Sequence, residues 1–193
     1  MSNKSTFNLD FFLNLHLLFQ MKSIIPDHEV NRLQDIQGIL EKTDIEALIL
    51  DIDQTVVPFG KIIIPKDICD FIHGLQPKYR MCFLSNFPHR EDRIQRIRSI
   101  EEQAGIKAIF SQRRKPSPDA FRLALDELKS EPQNTIMVGD RLLTDILGAN
   151  NMGIETVLVQ PIDRRTDPLF MVRIPRALQG PYLKFARSIK KQK

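Results

Sequence analysis

Short, wholly apolar runs alternate along the chain with stretches in which apolar residues recur every three or four positions. Ala47-Leu48-Ile49-Leu50 has no polar interruption, the pattern of a strand buried on both faces. Met81-Cys82-Phe83-Leu84, Thr135-Ile136-Met137-Val138 and Thr156-Val157-Leu158-Val159 read the same way, and Ala108-Ile109-Phe110 is a weaker run. Between them lie helical patterns. Phe121, Ala124, Leu125 and Leu128 occupy the i, i+3, i+4 and i+7 positions of one helix face. Ser117 ahead of Pro118 has the form of an N-cap followed by proline at the first helical position. Ile94, Ile97 and Ile100 mark a second helix, and Asp145 to Asn151 a short third, with Gly153 where a left-handed exit belongs. Strands alternating with helices predict an α/β fold with a doubly wound parallel sheet.

Composition narrows the class without changing the fold. An apolar fraction of 42% and a charged fraction of 27% are those of an ordinary globular protein. The 193 residues suffice for one domain. Cys69 and Cys82 fall in a helical and a strand segment without metal-type spacing, so a reducing compartment and no disulfide are expected. The net charge is +4, and the surplus gathers between Arg164 and Lys193. Such a stretch is either a solvated end or a contact for an anionic partner.

The expected division is an extension over 1–22, a catalytic domain over 23–163 and a basic, partly helical tail over 164–193. No basic stretch followed by a cleavage-like site opens the chain. Phe11 to Phe19 is apolar but interrupted by Asn14 and His16, and it falls short of the roughly 18 residues that span a bilayer. It reads as a helix lying in a membrane interface, as a helix packed on the domain, or as an extension ahead of a start at Met21.

The strand ends carry the chemistry. Ligands of open α/β sheets bind outside the carboxyl ends of the strands. The first apolar run stops at Asp51-Ile52-Asp53, the second at Ser85-Asn86, the third is followed by Lys115-Pro116, and the fourth ends in Gly139-Asp140 with Asp145 close behind. Taken singly, each is an ordinary turn, cap or solvated residue. Together they match the needs of phosphoryl transfer. Asp51 is placed to attack phosphorus, which divides the displacement into two easier steps. Asp53, two positions on, is the candidate acid and base. Ser85, Asn86 and Lys115 supply donors and positive charge to the phosphoryl oxygens. Asp51, Asp140 and the backbone carbonyl of Asp53 are candidate ligands of a hard divalent cation, Mg2+. Asp145 either joins that shell or holds Lys115.

These segments resemble the four motifs of the haloacid dehalogenase-like (HAD) phosphatase superfamily: Asp51-Ile52-Asp53-Gln54-Thr55-Val56, Ser85-Asn86, Lys115-Pro116 and Gly139 to Asp145. The resemblance covers roughly Glu46 to Pro161 and implies a Rossmann-like fold, an aspartyl nucleophile and magnesium. Pro26-Asp27, Val57-Pro58 and the run from Gly139 to Asn150 are also similar to a capless subgroup that includes the phosphatidylglycerophosphate phosphatases. Three positions depart from that subgroup: Gln54 stands where Asn is usual, Phe87 where a second Asn is usual, and no Asn precedes Arg173.

Spacing bears on the substrate independently. About thirty residues separate Asp51 from Ser85, and again Ser85 from Lys115. Each interval has room for one helix and its connections, not for a cap domain. An open mouth suits a phosphate on something large, and a neighbouring subunit could also close it. The expectation is a Mg2+-dependent phosphomonoesterase acting on phosphatidylglycerophosphate, cytoplasmic and peripheral at the inner face of a membrane. An anionic phospholipid is the expected partner, and nucleic acid is not. The alternatives are a phosphatase of a soluble sugar phosphate or nucleotide, and a non-catalytic binding protein on the same fold.

Overall fold

A computed structural model describes residues 23–86, 91–169 and 173–191; the segment 1–22, with its apolar run, lies outside the described residues. The strands are β1 (His28–Val30), β2 (Ala47–Leu50), β3 (Arg80–Leu84), β4 (Lys107–Ile109), β5 (Thr135–Gly139) and β6 (Glu155–Val159). All pair in parallel, in the order β1-β6-β5-β2-β3-β4. The helices are α1 (Gln37–Leu40), α2 (Lys66–Leu75), α3 (Glu91–Ala104), α4 (Pro118–Leu128), α5 (Leu147–Asn150) and α6 (Ile174–Lys191).

Strand alternation builds a core on each side of the sheet. Leu48 and Leu50 of β2 pack with Ile68, Ile72 and Leu75 of α2 and Ile97 and Ile100 of α3. Ala47 and Ile49 of the same strand face Ala120, Phe121, Ala124 and Leu128 of α4. A strand sandwiched in this way has no solvent face, which explains why its sequence has no polar position. α4 starts as its sequence predicts: the Ser117 side chain accepts a hydrogen bond from Asp119 N, and Pro118 follows it. Gly153 leaves the turn after α5 with a φ of +74°.

β1 is the strand that periodicity does not reveal. It is three residues long, only partly covered, and sits at the sheet edge. Its position depends on a remote clamp: Asp27 N donates to Thr156 Oγ1 (3.0 Å), and Thr156 N donates to Asp27 Oδ2 (2.9 Å). The turn after β5 also differs from a plain helix. Residues Leu142–Ile146 form a single π-helical turn before α5, a local widening that recurs at functional sites.

Between Asp51 and Ser85 the described residues hold one helix, α2; between Ser85 and Lys115 they hold α3 and β4. Neither interval contains a cap domain among the described residues. The basic carboxyl-terminal stretch supplies α6, whose Leu183 packs with Leu142 and Ile146 and whose Ala186 packs with Ile24. Among the described residues no helix is long and apolar enough to cross a membrane.

Candidate active site

The sheet order reverses between β2 and β5, the crevice where open α/β sheets bind ligands. Leu50 of β2 pairs with Val138 of β5, so the chain leaves the two strands side by side. Asp51 follows the first strand and Asp140 closely follows the second. Asp51 N still donates to Val138 O (2.9 Å), which holds the nucleophile candidate at the sheet's end. One carboxylate oxygen each from Asp51, Asp140 and Asp145 lies within 4.8 Å of the others, and all three residues are buried.

Lys115 enters this acidic group from the loop after β4. Its Nζ lies 2.7 Å from Asp51 Oδ1 and 2.8 Å from Asp145 Oδ1. Burial by itself would lower the ammonium's pKa, but the Asp145 and Asp51 charges outweigh it and raise the value. Asp51 is pushed up to about 6, first by burial and then by Asp145, with Lys115 opposing. Asp145 is committed on both oxygens: Thr144 Oγ1 also donates to Oδ1 (3.1 Å), and Arg141 N donates to Oδ2 (3.1 Å). Its proximity to the strand end explains Gly139. A Cβ there would meet the Asp145 Cβ at 2.6 Å.

The remaining motif residues form the walls. Asp51, Asp53, Ser85, Asn86, Lys115 and Asp145 line one small cleft, with Phe59, Arg141 and Thr144 at its edge. Asn86 ties two loops together. Its Oδ1 accepts from Lys115 N (2.7 Å), and its Nδ2 donates to Lys115 O (2.8 Å). That amide therefore positions the lysine, while its Nδ2 carries a second N–H.

Two contacts of the motif residues were not legible in the motifs. Arg96, buried on α3, donates from Nη2 to Asp53 Oδ1 (2.7 Å) and from Nη1 to Asp53 Oδ2 (3.4 Å), and Gly60 N adds a third bond to Oδ1 (2.9 Å). Arg96 Nε is held in turn by Lys61 O (2.9 Å). The available signal was an arginine on the apolar side of a helix, four residues before Ile100, but nothing local names its acid. Gln54 is the second. It is buried at a φ of +67°, a region that a residue with a side chain seldom adopts. Its Nε2 donates to Asp163 O (2.7 Å), Thr166 Oγ1 (3.0 Å) and Asp167 Oδ1 (2.5 Å), and its Oε1 accepts from Asp163 N (2.9 Å). One of the three positions that depart from the capless subgroup is thus the latch between the loop after β2 and the segment after β6.

The donor set suits a hard cation. The three carboxylates offer only oxygen, and against the single Lys115 ammonium they leave these four buried groups formally at −2. Such a surplus is costly out of water, and a divalent cation offsets it.

Comparison with known proteins agrees with this geometry. A family model described as HAD-hydrolase-like matches residues 112–166, which include Lys115, Asp140 and Asp145. The Bacillus subtilis protein named "Probable phosphatase YqeG" is 27% identical over 143 residues, covering 73% of this chain and 80% of its own. Phosphatidylglycerophosphate phosphatase 1 of Arabidopsis thaliana is 27% identical over 170 residues, 83% of this chain but only 47% of the plant protein. Among solved structures, a HAD family enzyme of Bacteroides thetaiotaomicron, in complex with magnesium and inorganic phosphate, shares the fold at a TM-score of 0.51 and 15% identity, over 62% of this chain and 96% of its own. The motifs, the sheet and these relatives support a phosphatase of the haloacid dehalogenase-like superfamily, similar to the phosphatidylglycerophosphate phosphatases.

Proposed function

We propose that the chain dephosphorylates phosphatidylglycerophosphate through an aspartyl-phosphate on Asp51. The observation that carries the reaction is the buried cluster in which Lys115 bridges Asp51 and Asp145 beside Asp140. An Asp51 carboxylate oxygen attacks phosphorus, the bond from phosphorus to the leaving oxygen breaks, and Asp53 delivers a proton to that oxygen. Asp53 then takes a proton from water. The water oxygen attacks phosphorus, the bond to Asp51 breaks, and phosphate leaves. Lys115, the Ser85 hydroxyl and the second Asn86 N–H stabilise charge on the equatorial oxygens. Asp51, Asp140 and the Asp53 carbonyl would hold Mg2+, which supplies charge neutralisation between two anions when bound. Asp145, with its oxygens on Lys115, Thr144 and Arg141, acts in this reading as the residue that orients the lysine.

The lipid substrate is supported by the resemblance to the plant phosphatase and by the absence of a cap between the motifs of the described residues. The test is phosphate release from phosphatidylglycerophosphate in mixed micelles, from sugar phosphates and from nucleotides, each with Mg2+ and with chelator. The expected outcome is preference for the lipid, loss with chelator, and loss of at least about a hundredfold in Asp51→Asn at unchanged circular dichroism. An Asp51→Asn rate within tenfold of the parent removes the nucleophile assignment. Preference for a soluble monoester replaces the lipid with that class.

A further inference from the structure

The cleft holding Asp51, Ser85 and Lys115 has a volume of only about 40 Å3. It is of a size for a phosphoryl group, so the organic leaving group would extend beyond it. A second cavity, of about 480 Å3, is lined in part by Asp140, which belongs to the carboxylate cluster with Asp51 and Asp145. That volume is within the roughly 300–1,000 Å3 of small-molecule sites. Its position is beyond the carboxyl ends of β5 and β6, under α6.

The lining is two-sided. Leu142, Leu158 and Leu183 supply apolar lining, while Arg164 and Arg173, from the chain after β6, supply positive charge to the same cavity as Asp140 of the cluster. Arg164 is anchored by a hydrogen bond from Nη2 to Gln160 Oε1 (2.7 Å). The other acids that line the cavity are engaged: Glu29 pairs with Arg187, and Asp167 accepts from Gln54. The wall is also fixed relative to the nucleophile. The four Gln54 hydrogen bonds tie residues 163–167 to the loop that begins at Asp51, so Arg164 is carried on a segment already braced before substrate arrives, while Arg173 N donates to Pro168 O (3.0 Å).

We infer that this cavity receives the leaving group of the phosphomonoester, and that Arg164 and Arg173 select a leaving group bearing a second anion, as a phosphodiester does. Guanidinium forks match phosphate oxygens, and the apolar wall takes the carbon skeleton between the two phosphates. This inference rests on the assignment of Asp51 as the attacking residue, because it sets where the scissile phosphate sits. The chemistry required is shared by a lipid headgroup and by the same headgroup without its acyl chains.

The experiment uses the full chain and three substrates: phosphatidylglycerophosphate in micelles, its deacylated form, and an aryl phosphate with no second anion. The readout is the ratio of kcat/KM for each bis-anionic substrate to that for the aryl phosphate, in wild type and in the double variant Arg164→Ala, Arg173→Ala. Calorimetry of wild type with glycerophosphoglycerol, the deacylated product, gives a second readout that needs no turnover. The expected result is that the ratio falls by about tenfold or more in the variant, and that the wild type binds glycerophosphoglycerol while the variant does not. A ratio that stays within twofold, or a wild type that ignores glycerophosphoglycerol, overturns the cavity assignment. If the deacylated substrate equals the lipid while the ratio still falls, the cavity stands and the lipid reading does not. If no monoester is turned over by wild type yet glycerophosphoglycerol binds, the cavity stands and the Asp51 reaction fails.

Discussion

Two charged features at the residue scale bear on the proposed chemistry: the contact of Arg96 with Asp53 and that of Lys115 with Asp51. Arg96 is a positioning residue in this reading, because its hydrogen bonds reach the site only through Asp53. Removing it frees the carboxylate from the orientation that serves the leaving oxygen. Arg96→Met should lower kcat for an alkyl phosphate by about tenfold or more and for an activated aryl phosphate less, because the aryl oxygen needs little protonation. Arg96→Lys should recover part of the loss. Equal slowing of both substrates in Arg96→Met assigns the residue to folding instead. The second contact sets a pH dependence. Burial pushes the Asp51 carboxyl up from its ordinary 3.8 to about 6. Over that window the folded state binds more protons than the unfolded one, so the metal-free protein should lose stability as pH rises from about 4 to 6. A cation competes with the same proton. The rise in Tm on adding Mg2+ should therefore be large at pH 7.5 and small at pH 5, measured by differential scanning fluorimetry. An equal rise at both pH values would remove Asp51 from the ligand set.

Packing between elements explains several motif positions that carry no chemistry. Gly148 on α5 lies where a Cβ would meet the Phe121 ring, 2.7 Å from its Cζ, and Pro116 Cα at 3.0 Å. α5 thus approaches α4 and the Lys115-Pro116 loop as closely as a bare backbone allows. Gly148→Ala should cost about 1–3 kcal/mol by overpacking and shift the urea midpoint accordingly, with a larger effect than Gly38→Ala in α1, where nothing lies within 4 Å. An equal shift for the two variants would count against the close-approach account. The same scale shows why four loops hold their chemistry still. Each follows a strand whose neighbours are paired on both sides or covered by a helix, and Asn86 and Gln54 cross-link the loops themselves.

For the whole molecule, the proposed lipid substrate requires a surface at which a bulky anionic ester could meet the site. α6 presents exposed Tyr182, Lys184 and Phe185 on one side, while Leu183 and Ala186 are buried on the other. Deleting the basic end would therefore strip the core, and charge reversal is the cleaner probe. On the membrane reading, the full chain floats with anionic vesicles more than with zwitterionic ones, and high salt releases it. Lys184→Glu should weaken the attraction by on the order of 1 kcal/mol per charge removed or added near the surface. No flotation with anionic vesicles at low salt would leave the soluble monoesters as the better substrates.

The sequence by itself determined the elements whose signal is local. β2 and β5 are buried on both faces, so every position is apolar and the runs stand out; α4 carries its own cap and stripe. The motif residues and their order at the strand ends were equally legible, because parallel α/β topology sends each strand end to the same side. Which groups pair is set by long-range packing. Asp53 meets an arginine 43 residues away, Gln54 reaches acceptors more than 100 residues away, and Lys115 lies between Asp51 and Asp145 rather than on one of them. β1 and the cavity under α6 belong to the same class. Each is made by segments far apart in the chain, and hydrophobic periodicity reports burial within a window of a few turns, not the identity of the distant partner that produces it.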